Sequence, residues 1–165
     1  MFKMIYKMLR FHLGTTRFTN ETWAQNLQYR KENRKDTCIY GLPVEMPKAI
    51  RLGEPVYVIE MNISQGNKKI MGIGYVMNFR HRDQYYRIYS NVGYNRCIYK
   101  GQHWCCREQL DKGIVTALEK VLFKGKGHMC RGQGVTRLKT ESLEDDEGAV
   151  IAYMKQLFTS QTPPA

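Results

Sequence analysis

Apolar residues recur along the chain in two rhythms. Val56-Tyr-Val-Ile-Glu-Met61 and Lys69-Ile-Met-Gly-Ile-Gly-Tyr-Val-Met77 are dense runs rich in β-branched and aromatic side chains, joined by the polar turn Asn62-Ile-Ser-Gln-Gly-Asn67. They predict the clearest hairpin in the sequence. Tyr85-Tyr-Arg-Ile-Tyr89 and Arg96-Cys-Ile-Tyr99 flank Asn91-Val-Gly-Tyr-Asn95 and predict a second one. The period then changes. From Arg107 to Phe123 the apolar residues Leu110, Ile114, Leu118, Val121 and Leu122 fall at helical spacing, and Lys124-Gly-Lys-Gly127 stops the helix.

Ahead of these elements, Asn20 can cap a helix running to about Lys35, with Trp23 and Leu27 on one face and Arg30, Lys31 and Arg34 beyond them. Pro43 and Pro47 bracket a loop. Near the end, a short strand at Gly134 to Leu138 precedes a helix whose buried face is Val150, Ile151, Met154, Leu157 and Phe158. Ser142 and Asp145 have capping-box spacing, and Glu144 to Glu147 suit the positive end of that helix. The order helix, hairpin, hairpin, helix, strand, helix predicts an α+β fold, a small, curled, mostly antiparallel β-barrel flanked by three or four helices. Residues 1–158 read as a single domain and 159–165, ending Thr-Pro-Pro-Ala, as a short disordered tail. No internal repeat is present.

Charge changes the picture. The 26 Lys and Arg outnumber the 15 Asp and Glu, giving a net charge of +11. Five of those acids lie between Glu141 and Glu147, and only one base follows them, so the first 140 residues hold 25 basic against 10 acidic side chains. A polyanion is the expected partner, and single-stranded RNA or DNA is the expected form of it. Five cysteines, Cys38, Cys97, Cys105, Cys106 and Cys130, are odd in number and include an adjacent pair, which makes a poor disulfide framework. They point to a reducing, intracellular location, cytoplasm or nucleus. The run Met1 to Arg10 is broken by Lys3 and Lys7 and reads as neither leader nor membrane span, and no membrane partner is expected.

One stretch carries a family likeness. Val56 to Asn62, followed by Ser64, Gly66, Ile70, Gly72, Tyr75 and Met77, resembles the central hairpin of PUA-like domains, in particular the YTH and EVE branches. Ile50-Arg-Leu-Gly53 resembles the lead-in to that strand in EVE and ASCH domains, and Arg131-Gly-Gln-Gly-Val-Thr-Arg-Leu138 with the acidic helix start resembles the closing strand and helix of EVE domains. The chain as a whole also resembles small proteins of large DNA viruses, which would place it in a host cell or a virion. The resemblance implies a PUA-like barrel with an aromatic pocket that takes one flipped-out, often methylated, base beside a basic surface. Physical chemistry supports the same design, because stacking a base on an aromatic face is worth about 1–3 kcal/mol.

The candidate site follows. Trp104, Trp23, Tyr75, Phe79, Asn62 and Tyr94 are the expected base pocket, with Tyr85 and Tyr86 nearby, interleaved with Arg80, Arg82, Arg87 and Arg96. Trp104, at a strand-to-helix junction, is the leading wall. Lys124, Lys126 and Arg131 in the glycine-rich stretch Lys124 to Gly134, together with Arg80, Arg82 and Arg96, are the expected phosphate contacts. That stretch lacks the P-loop spacing, so nucleotide hydrolysis is not expected. His103-Trp-Cys105 and His128-Met-Cys130 are metal-capable pairs without the usual zinc spacing, and Cys105 or Cys106 with a nearby His makes an unconvincing nucleophile and base. No catalytic residue, metal or cofactor is assigned, and the chain is read as a binding protein rather than an enzyme. The rival reading is a structural or packaging protein, such as a virion component, whose basic surface holds nucleic acid or another subunit.

Overall fold

The computed structural model describes residues 10–33, 37–125 and 127–159. Its strands are β1 (His12–Phe18), β2 (Cys38–Leu42), β3 (Pro55–Asn62), β4 (Lys69–Met77), β5 (Cys97–Gly101), β6 (His103–Cys106) and β7 (Val135–Arg137). The α-helices are α1 (Asn20–Asn33), α2 (Lys112–Phe123) and α3 (Glu147–Leu157). The strands form a mixed five-stranded sheet in the order β6-β4-β3-β1-β7 and a separate pair, β2-β5.

This corrects the expected barrel. The fold is α+β, but among the described residues the sheet is open. Its centre is a parallel pair, β1 with β3, in which His12 faces Val56 and Phe18 faces Asn62. The predicted β3–β4 hairpin is present, with a bulge at Glu60/Met61. The expected second hairpin is not. Cys97–Gly101 pairs with Cys38–Leu42, a strand the sequence reading passed over, and Tyr85 to Tyr89 is irregular. The cause is a side chain. Asn95 Oδ1 accepts the amides of Ile88 and Tyr89 at 3.2 and 2.9 Å, and its Nδ2 donates to the Tyr89 carbonyl at 2.8 Å. These contacts occupy the groups a strand ladder would have used.

Helix starts also differ from expectation. Thr19, not Asn20, caps α1: its Oγ1 accepts from Thr22 N at 3.1 Å while Thr22 Oγ1 accepts from Thr19 N at 2.9 Å. α2 begins later than Arg107, where Asp111 accepts from the Ile114 amide at 3.0 Å. The Ser142 capping box does not form, because the Ser142 hydroxyl donates instead to the Lys139 carbonyl at 2.6 Å and Glu144 turns to φ 53° before α3 begins.

Alternation along β3 divides the interior in two. Tyr57, Ile59 and Met61 face α2 and α3, packing with Ile73, Leu118, Leu122 and Met154. Val56 and Val58 face the β2–β5 pair and the irregular segment, packing with Tyr40, Ile98, Tyr99 and Tyr89. Glu60 is on the same side as Val58 and is wholly buried. The expected tail from Ser160 onward, the stretch Met1 to Leu9 and the helix end beyond Asn33 lie outside the described residues.

Candidate nucleic-acid interface

The two tryptophans come together, but around a residue of the protein itself. Trp23 and Arg30 are two turns apart on one face of α1, and the pairing of β6 with β4 sets Trp104 opposite Gly74. The Arg30 guanidinium carbon stands 5.5 Å from the Trp23 ring centre, 5.7 Å from Tyr40 and 5.2 Å from Trp104. Glu60 anchors the group. Its Oε2 accepts from Arg30 Nη2 and from the Tyr40 hydroxyl, each at 2.7 Å, and its Oε1 accepts from Trp104 Nε1 at 2.8 Å. Glycine makes the room: a Cβ at Gly72 would lie 2.9 Å from both Glu60 Oε1 and Trp104 Nε1, and one at Gly74 would run into the Tyr40 hydroxyl.

A buried cation survives here because the aromatic faces and Glu60 replace water. Burial pulls the Arg30 pKa down, yet the Glu60 charge and hydrogen bond outweigh it and hold the guanidinium above its ordinary range. Burial pushes the Tyr40 phenol up, with Cys38 and Glu60 adding to it. Trp23, Tyr40 and Trp104 thus surround Arg30 of the protein itself.

The other expected pocket residues separate. Tyr75 packs edge-on to Tyr57 and Phe158 on the α2–α3 side of the sheet. Asn62 is buried, donating to Asn20 Oδ1 at 2.8 Å and accepting from the Ser64 amide at 2.9 Å. Phe79 is 52% exposed and covers the positive-φ turn at Gly53. Tyr94 is 40% exposed and lies edge-on to the buried Tyr89.

Tyr94 lies beside a cleft of about 250 Å³ that no single sequence motif announces. β1 contributes Arg17 and Phe18, α1 contributes Thr22, β2 contributes Gly41, and the loop before β7 contributes Gly132, Gln133 and Gly134. Arg17 ties the wall together, donating through Nη1 to the Cys130 carbonyl at 3.2 Å. Gly41 allows the close approach, since a Cβ there would lie 2.5 Å from the Tyr94 carbonyl. Arg17 was missed from the sequence, where the only signal was a cation inside an otherwise uncharged strand.

Among the expected phosphate contacts, Lys124 and Arg131 are exposed on the stretch between α2 and β7, and Lys126 lies outside the described residues. Arg80 pairs with Glu45 at 3.2 Å and donates to the Arg96 carbonyl at 2.8 Å, so its role is largely structural. Arg82 reaches the same Glu45 at 3.6 Å while remaining largely exposed. Arg87 and Arg96 are exposed. Tyr85, 64% exposed, stands among them with its hydroxyl 3.4 Å from the Asn95 amide. The segment from Arg82 to Arg96 thus presents two open aromatic rings and three arginines.

The thiols offer no nucleophile of ordinary reactivity at Cys105, which burial pushes up to about 11. Among the described residues no three His, Cys, Asp or Glu side chains converge as a metal set, and no helix is long and apolar enough to cross a membrane. His103 instead stacks on Phe158, and His128 Nδ1 accepts from the Cys130 amide at 3.3 Å. No family model matches the chain, and no curated protein and no solved structure is measurably similar to it.

Proposed function

We propose that the chain binds single-stranded nucleic acid along the Arg82–Arg96 segment and seats one base at the cleft beside Tyr94. The observation that carries this reading is the continuity of chemistry on one irregular segment. Tyr85 and Tyr94 offer exposed ring faces for stacking, Arg82, Arg87 and Arg96 offer unburied cations for phosphate, and Tyr94 opens into a cleft whose far wall is Arg17 and the Gly132–Gly134 loop. Stacking is tolerant of sequence, and phosphate contacts position rather than specify. Any preference among bases or base modifications would arise in the cleft, not at Trp104, whose indole N–H is already taken by Glu60.

Fluorescence anisotropy with labelled single-stranded RNA and DNA tests it. The expected result is affinity that falls steeply between low and moderate salt, with a slope of several released counterions. Absent binding at low salt, or affinity indifferent to salt, defeats the reading.

The packaging alternative has its own support in a different patch. Leu52, 79% exposed, sits by the Gly53 turn that Phe79 covers, and Arg51 lies next to it. An open apolar group beside a cation suits contact with another protein subunit. Leu52→Ser with Phe79→Ser should leave strand binding intact if the two surfaces are separate.

A further inference from the structure

A second cleft, of about 340 Å³, opens at the other end of β2, between Tyr29 and Asn33 of α1, the His81–Tyr86 segment and the Gly101-Gln102 corner. Its volume falls within the roughly 300–1,000 Å³ of small-ligand sites. Its lining has an unusual balance. None of the lining residues is Asp or Glu, whereas Lys100, His81 and Arg30 all contribute.

Lys100 is held in place without a direct ion pair. Its Nζ donates to the Tyr86 hydroxyl at 2.9 Å and stands 4.9 Å from that ring, while the Tyr86 hydroxyl donates to Asp83 at 2.7 Å. Among the described residues Lys100 has no carboxylate within ion-pair distance. At the floor, Arg30 is nine-tenths buried, and its Nε and Nη1 find no hydrogen-bond acceptor. Burial first, and Lys100 second, lower the His81 pKa. The neutral imidazole can then donate or accept without adding repulsion. Gln84 and Gln102 at the rim make no side-chain hydrogen bond among the described residues, so their carboxamides are available to read the edge of a planar ring.

We infer that this cleft binds a phosphate monoester carried on a nucleobase, that is, a nucleoside monophosphate unit. Lys100 meets the phosphate, the half-buried Tyr29 supplies a flat wall, and the two glutamines meet the base edge. A lining without a carboxylate that holds a lysine in no ion pair is what a phosphate selects, and amides beside an aromatic ring are what a base selects. The unit can arrive as a free nucleotide or as the phosphorylated end of a strand. The cleft shares Gln84 and Tyr86 with the Arg82–Arg96 segment but none of its arginines, so variants of those arginines test the two readings separately.

Calorimetric titration of the full chain with adenosine, cytidine, guanosine and uridine 5′-monophosphates, and with inorganic phosphate, tests the inference. At least one nucleotide should bind saturably and more tightly than phosphate alone. Lys100→Ala should weaken it by about tenfold or more, the loss of one charge-assisted contact. Gln102→Ala, at an exposed position, should narrow the differences among the four nucleotides, and Arg82→Ala should change nothing here while weakening strand binding. A 5′-phosphorylated oligonucleotide that displaces the nucleotide better than its 5′-hydroxyl twin identifies a strand end as the ligand. Equal, weak competition by both identifies the free nucleotide. No saturable nucleotide binding, phosphate binding as tight as the nucleotide, or affinity unmoved by Lys100→Ala on a folded protein overturns the inference.

Discussion

Arg30 Nη2 and Glu60 Oε2 meet at 2.7 Å with both side chains out of solvent, so a charge contributed by the first helix neutralises one contributed by the central strand. Removing one partner leaves the other buried and unpaired. Glu60→Ala or Arg30→Ala should therefore cost about 3–5 kcal/mol in denaturant unfolding, whereas replacing both by apolar residues of similar volume should cost much less than the two losses added. Additive losses would show that the pair is not coupled.

The clearance around that pair makes a second, sharper forecast. Gly72→Ala brings a methyl to 2.9 Å from Glu60 Oε1 and 2.7 Å from the Cys105 carbonyl, which should destabilise by about 1–3 kcal/mol. Gly148→Ala meets nothing within 4 Å in the first turn of α3 and should stabilise by about 0.5–1 kcal/mol. Midpoints measured on the two variants should move in opposite directions.

Strand binding should respond to the exposed segment and not to the cage. Arg82→Ala and Arg96→Ala should each lower the salt slope by about one counterion with no change in melting temperature. Tyr85→Ala and Tyr94→Ala should each cost about 1–3 kcal/mol of affinity. Trp104→Phe, by contrast, removes the donor to Glu60 and should lower stability while the folded fraction keeps its affinity. Loss of affinity in folded Trp104→Phe would return Trp104 to the base pocket.

Alkaline pH should unfold the chain along a specific path. Burial lifts Cys38 and Cys105 to about 11 from 9.0, and Tyr57 and Tyr89 to about 12 from 10.0. The unfolded chain gives up these protons first, so their contribution is complete below about pH 9 and is lost as pH rises through 11 and 12. Urea midpoints should fall across that window. Below it, iodoacetamide should label Cys38 and Cys105 only in denaturant, and ready labelling in buffer would contradict their burial.

The β3–β4 hairpin was legible because both strands are dense in apolar residues and the turn between them is entirely local. The α2 and α3 faces were legible for the same reason, as were the arginines and tyrosines between Arg82 and Arg96. β1 was not. Its sequence, His-Leu-Gly-Thr-Thr-Arg-Phe, is weakly apolar, and its burial rests on distant partners such as Glu54, which takes the His12 imidazole at 3.1 Å, and Val135, which needs Gly14 bare. β2 was hidden because its partner β5 lies far along the chain. Tyr85 to Tyr89 has the composition of a strand, but the Asn95 side chain, not a neighbouring strand, takes the amides of Ile88 and Tyr89. A lone Glu60 in an apolar run was the one printed clue to the cage, since a carboxylate at such a position demands a buried cation.

The place of β1 in the sheet has a temporal meaning. It lies between β3 and β7, matching His12 to Val56 on one edge and Gly14 to Arg137 on the other. Among the described strands the first in the chain is thus flanked by the third and the last. Its β7-facing edge stays open until residues 135–137 are made, inviting pairing with any other extended chain. An edge closed by so distant a strand favours slow completion of the sheet, and it makes the interval before β7 docks the one in which the chain is most easily lost to aggregation.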